Sequence, residues 1–148
     1  MEANFIRVRS AKDIIITTSL FVLGALLITS PTSASINLVG FFMIFAGMLT
    51  AFTLMSGHKL EGTGEKYRKK EYYFLQEMNP VILSALESKP DSIDLTQVDK
   101  GRSIRLDVYY SKSTGKAYLQ LFEYIPYRYE PCSKTYEHEV EKVYKLIK

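Results

Sequence analysis

Cys132 is the only cysteine in the chain, and the imidazole closest to it in sequence is His138. A thiol at a helix entrance can have its pKa lowered by the helix dipole, and a positioned imidazole could then make it a nucleophile. The final segment reads as a helix, which carries His138 more than a turn beyond Cys132. A small residue at a helix entrance is therefore the favoured role. Glu137, His138, Glu139 and Glu141 carry atoms that ligate metals, but neighbours on a helix point in different directions. Neither a His-Glu-x-x-His pattern nor a second cysteine completes a zinc set. A solvated helix face is expected, with no metal, cofactor or catalytic residue assigned. Phosphate loops, dinucleotide fingerprints, Ser-His-Asp orders and paired-carboxylate signatures are missing as well. A lone cysteine cannot form an intramolecular disulfide, which suits a reducing cytoplasm.

Two other groups of residues could do the chemistry of recognition. Tyr109, Tyr118, Phe122 and Tyr124, followed by Tyr127, Arg128 and Tyr129, form an aromatic surface with an arginine. Such residues are typical anchors of protein interfaces. Stacking of single-stranded nucleic acid is the other use of such a sheet face, but a net charge of +3 is too small to argue for it. Burial of this face under the helices expected over residues 65–88 is the alternative without a partner. Lys66, Arg68, Lys69 and Lys70 form a basic cluster that could contact anionic headgroups. Glu61, Glu65 and Glu71 among them weaken that reading, and the cluster also fits an ordinary topogenic flank.

Elements must position these groups, and the first of them is apolar. From Ile14 to Gly57 no side chain is charged. The stretch Ser30-Pro31-Thr32-Ser33-Ala34-Ser35 divides this run, because Pro31 cannot continue a helix and the hydroxyl residues suit a polar turn. Two transmembrane helices are expected, over about 14–30 and 36–55, since a span needs about 20 apolar residues. Arg7, Arg9 and Lys12 flank the first helix, and Lys59, Lys66, Arg68, Lys69 and Lys70 follow the second. The basic flanks place both termini in the cytoplasm and only the turn on the far side. A cleaved signal peptide ending near Ala34 competes with this reading, but the second apolar run starts at once and leaves no exported domain between. Gly40, Gly47 and Ala51 could let helix backbones approach closely, or they reflect ordinary membrane composition. No Asp, Glu, Lys, Arg or His lies within either expected span, which argues against an ion or proton pathway.

Composition changes after His58. All 11 Tyr lie beyond it, as do all of the 19 Lys and Arg except Arg7, Arg9 and Lys12. The expected organisation is a transmembrane hairpin (residues 1–57), a linker (58–64) and a small cytoplasmic α+β domain (65–148). In that domain the pattern predicts a helix over Glu65–Met78 with Tyr67, Phe74, Leu75 and Met78 on one face. A second helix should follow, with Asn79 as N-cap and Pro80 at the first position, ending at Lys89-Pro90-Asp91. Alternation of Ile104, Leu106, Val108 and Tyr110 with polar partners predicts a strand. Lys112-Ser113-Thr114-Gly115 then forms a hairpin loop with Gly115 left-handed. The resulting register pairs Tyr110 with Ala117, Val108 with Leu119, and Leu106 with Leu121. Ile93–Val98 could supply a third strand, and Pro126 and Pro131 confine residues 127–130 to an edge. Tyr136, Val140, Val143, Tyr144 and Ile147 predict an amphipathic helix over Ser133–Ile147.

The function expected from these features is that of a non-enzymatic integral membrane protein of the bacterial inner-membrane type. Its cytoplasmic domain would bind another protein, as an accessory, assembly or immunity-type subunit does. Nucleic acid is not an expected partner, and self-association stays open. The alternative is a membrane-anchored enzyme with a pocket between sheet and helices.

Overall fold

The computed structural model describes residues 3–98 and 101–148. The chain forms two compact units, Ile6–His58 and Met1–Phe5 with Lys59–Lys148. Two short strands, β1 (Phe5–Val8) and β2 (Gly57–Leu60), lie where the chain passes from one unit to the other.

The first unit is a pair of helices, α1 (Ala11–Thr29) and α2 (Ala34–Thr53), joined by a short turn. Both are long and apolar enough to cross a membrane. Helix α1 starts at Ala11, where Ser10 and Asp13 form a capping box. The Ser10 hydroxyl accepts from the Asp13 amide and the Asp13 carboxylate accepts from the Ser10 amide, which satisfies two orphan donors. The same carboxylate accepts from the Ser56 amide at 2.8 Å and from the Ser56 hydroxyl at 2.6 Å. It thus ties the start of α1 to the chain just after α2. Deeper in the pair, Thr17 donates to the Thr50 hydroxyl. Gly24 and Gly40 meet backbone to backbone. A Cβ on either would stand 2.8 Å from the carbonyl oxygen of the other, closer than any packed carbon. Gly47 faces the Phe21 ring. Ala51 is half-buried, and its carbonyl accepts from the Arg9 guanidinium.

The second unit is an antiparallel sheet with helices on one face. Strands β3 (Lys66–Phe74), β4 (Ile104–Ser111), β5 (Lys116–Ile125) and β6 (Arg128–Pro131) pair in chain order. Strand β7 (Tyr136–Glu139) returns to pair with the first half of β5, beside β6. The expected register of the β4–β5 hairpin is the one observed: Tyr110 opposite Ala117, Val108 opposite Leu119, Leu106 opposite Leu121. Gly115 is left-handed, with φ of +70°. The aliphatic face packs under α3 (Asn79–Ser88) and α4 (Tyr144–Ile147). Phe74, Ile82, Leu86, Ile104, Leu106, Leu121, Val143 and Leu146 are all fully buried there.

Four expectations are corrected. Glu65–Met78 is not a helix but the strand β3, followed by a single turn over Gln76–Met78. Its Lys and Glu content favours a helix by propensity. Pairing with β4, which sets Tyr72 against Leu106 and Phe74 against Ile104, outweighs that preference. Asn79 is the first residue of α3 and not its cap, although Pro80 does sit in the first turn and the helix ends at Ser88. Ile93–Val98 is not a strand: Ile93 is buried, and Asp94 caps a turn over Leu95–Gln97 by accepting from the Thr96 amide. Ser133–Ile147 is not one helix. It divides into β7, a 3₁₀ turn (Val140–Val143) and the short α4. Val143 and Ile147 of the expected stripe reach the core, while Tyr144 faces solvent. In the segment 58–64, Gly62 and Gly64 carry φ of +85° and +80° and reverse the chain.

Candidate functional site

Directly opposed residues of neighbouring strands share a face, so the sheet face away from α3 and α4 is built from alternate positions. Strand β3 gives Tyr67, Lys69, Glu71 and Tyr73; β4 gives Arg105, Asp107 and Tyr109; β5 gives Tyr118, Gln120 and Phe122. The basic cluster Lys66, Arg68, Lys69 and Lys70 is therefore split by the pleat. Lys69 lies on this face, while Arg68 and Lys70 lie on the other. Lys66 and Arg68 are exposed.

A charged cluster occupies the middle. Asp107 is 1% exposed. Lys69 Nζ stands 3.0 Å from its carboxylate and also pairs with Glu71. Arg105 presents two nitrogens to the same carboxylate, Nη2 at 3.1 Å and Nε at 2.7 Å. The second contact is close as charges but poorly aligned as a hydrogen bond. Burial pushes the Asp107 carboxyl up from the ordinary Asp range, against the pull of Lys69 and Arg105. Burial also works against the Lys69 ammonium, but Glu71 and Asp107 outweigh it and raise its pKa. The Tyr109 hydroxyl is raised chiefly by burial.

Aromatic groups lie at both ends of this cluster. At one end, Phe5 lies flat on Tyr109, with centroids 3.9 Å apart and planes 2° apart. It also meets Tyr67 and Tyr118 edge-on. Tyr118 is consequently buried. At the other end, the Arg105 guanidinium is held between the Phe122 and Tyr129 rings, 4.7 and 4.6 Å from their centroids. Tyr129 donates from its hydroxyl to the Arg102 carbonyl at 2.6 Å and packs against Tyr124. Arg102 lies over Tyr73. Arg128 is exposed and pairs with Glu130 at 2.5 Å.

Strain is concentrated at this second end. Among the described residues, Arg102 and Tyr127 are the non-glycine residues with positive φ, at 60° and 74°. Ile125 pairs with Arg128, so Pro126 and Tyr127 are the two central residues of the β5–β6 turn. Proline suits the first of these positions. Positive φ at the second calls for Gly or Asn. A bulky residue there costs about 1–3 kcal/mol. The Tyr127 side chain makes no compensating burial, since the residue is 98% exposed.

Of the seven aromatic-surface residues expected from sequence, Tyr124, Tyr127, Arg128 and Tyr129 gather around this turn. Phe122 is stacked beneath Arg105, and Tyr109 and Tyr118 lie at the far end under Phe5. The helix expected over residues 65–88 does not cover this face. Phe5, Tyr73, Arg102 and the Lys69–Asp107 pair were not expected here. Alternation from Tyr67 to Tyr73 is the signal that could have revealed Tyr73. Cys132 is half-buried, with its thiol pushed up chiefly by burial. The His138 ring bonds the Leu86 carbonyl at 2.6 Å, and Glu137 pairs with Lys116. Among the described residues no group of three His, Cys, Asp or Glu is placed to hold a metal ion.

Comparison with protein-family models, with curated proteins and with solved structures finds no match.

Proposed function

We propose that this chain is an integral membrane protein that presents its sheet-containing unit to a protein partner, as an accessory, assembly or immunity-type subunit of a membrane complex. Helices α1 and α2 would span the bilayer of a bacterial inner membrane. Support for the span comes from their length and hydropathy and from outward Ile15, Phe42, Phe45 and Phe52, which are exposed to whatever surrounds the pair. Lipid solvates such side chains without cost. Basic flanks on both helices and an uncharged turn between them support cytoplasmic termini.

The observation that carries the binding role is Tyr127. A tyrosine stands where backbone geometry favours glycine, its ring is almost wholly exposed, and Tyr124 and Tyr129 pack against each other just beyond the turn. Aromatic and arginine side chains of this kind dominate interface energetics. The enzyme reading draws less support. The carboxylate of Asp107 is taken up by Lys69 and Arg105. The cleft beside α3, of about 770 Å³, offers Asp94 as its ionisable group, and that carboxylate already holds Thr96.

The test is co-purification from native membranes in mild detergent, comparing the wild type with Tyr127→Gly. A stoichiometric partner should be lost from the variant while its thermal midpoint stays level or rises. Undiminished recovery of that partner would remove the turn from the binding surface.

A further inference from the structure

We infer that the cleft between the start of β3 and the β4–β5 loop is a phosphate-binding site, in which Lys66, Arg68 and Lys112 supply the charge and the hydroxyls of Ser111 and Ser113 a hydrogen-bond donor. The site shares no residue with the Tyr127 surface.

Strand pairing brings these cations together. Arg68 lies directly opposite Tyr110, so Lys66 and Lys112, each two residues further along, come to the same end of the pair. With Ser111 and Ser113 they line a cleft of about 270 Å³ that has no Asp or Glu among its lining residues. Lys69 and Arg105 are matched by Asp107, Lys116 by Glu137, and Arg128 by Glu130. Among the described residues, Lys66, Arg68 and Lys112 have no such counter-charge. The three carboxylates interspersed with the basic cluster are engaged elsewhere. Glu61 accepts from the Asn4 amide at 2.5 Å and Glu65 from the Tyr67 hydroxyl at 3.0 Å, while Glu71 holds Lys69 and the Tyr73 hydroxyl. Glu139 and Glu141 lie in a separate cleft that Lys112 also borders. Like charges gathered on neighbouring strands repel, and an oxyanion between them relieves that repulsion. Ser111 is 5% exposed, and its hydroxyl stands 2.9 Å from that of Ser113. One of the two hydroxyl protons is used between them, which leaves the other to donate. The Arg68 guanidinium is a planar fork that matches two phosphate oxygens, and the lysines act as point charges. A phosphate has oxygens enough for all of these groups, where a carboxylate has two. Soluble phosphate and a phospholipid headgroup both present this chemistry.

The test titrates inorganic phosphate, and separately dioctanoyl phosphatidic acid, into the full-length chain in neutral detergent, by calorimetry at ionic strength held constant with chloride. At least one probe should bind. Arg68→Ala and Lys112→Ala should each weaken it at least tenfold, the scale of a lost hydrogen bond to a charged group. Lys142→Ala, which removes an exposed charge outside the cleft, should leave the affinity within about twofold. Preference for inorganic phosphate assigns a soluble ligand, and preference for phosphatidic acid a lipid headgroup. Lys112 lies in a loop, so its variant serves if Arg68→Ala does not melt cooperatively. Binding of neither probe, or an equal loss in Lys142→Ala and the cleft variants, would overturn the site.

Discussion

Tyr127 and Asp107 show two ways in which a single residue departs from what its surroundings favour. At Tyr127 the conflict is conformational. Replacing it by glycine removes strain of about 1–3 kcal/mol and adds backbone entropy to the unfolded chain, about 0.5–1 kcal/mol. Thermal unfolding in detergent should therefore show Tyr127→Gly more stable by about 1 kcal/mol, and a loss of stability would mean that the ring carries packing. At Asp107 the conflict is electrostatic. Asp107→Ala leaves Arg105 and Lys69 largely buried without their shared counter-charge, and removing one partner of such a group costs about 3–5 kcal/mol. A variant that melts like the wild type would contradict the geometry. Sequence made the two unequally legible. Pro126 and Pro131 marked the edge that holds Tyr127, so its exposure could be anticipated. Alternation along β4 puts Asp107 opposite the aliphatic face, but its partner Lys69 is hidden inside the helix expected over Glu65–Met78.

At the scale of elements, the hairpin of β4 and β5 was legible down to its register because one face is aliphatic and the turn chemistry fixes the offset. Strand β3 and the last segment were not. Lysine, glutamate and tyrosine fit either periodicity, and only the neighbouring strand decides which is used. Assigning Val143 to the core and Val140 to its margin makes a graded prediction. Val143→Asp should lower the melting midpoint of the chain further than Val140→Asp, since Val143 is wholly buried and Val140 only half. Equal effects would mean that the 3₁₀ turn sits differently on the sheet. In the helix pair, Gly24 is the partner that sequence spacing did not single out, because one glycine in an apolar run carries no pattern of its own. Gly40→Leu should disrupt the α1–α2 contact, since its first carbon already meets the Gly24 carbonyl. Ala51→Leu, at a half-exposed position, should be tolerated, and comparing the two by detergent melting separates close backbone approach from general apolarity.

For the molecule as a whole, stability should depend on pH most strongly at the alkaline end. The hydroxyls of Tyr67, Tyr72, Tyr73 and Tyr109 are raised mainly by burial, and Lys69 is raised by its acidic neighbours. Groups whose folded pKa exceeds the unfolded value hold protons more tightly when folded. Their contribution is complete below the unfolded values, about 10 for both residue types, and is lost as pH climbs through the folded ones. The melting midpoint should hold from pH 7 to 9 and fall above about 10; a level midpoint to pH 11 would contradict this. Reporter fusions at Lys148 and in the Pro31 turn should give opposite compartments, and a far-side signal at Lys148 would reverse the proposed orientation. The position of Phe5 also has a consequence for biosynthesis. Its stacking partner, Tyr109, is translated long after it, with the whole apolar hairpin between them. At about 5–20 residues per second, a nascent chain carries that ring without its stacking partner for roughly 5–20 seconds. All of α1 and α2 is therefore made before Phe5 can meet Tyr109.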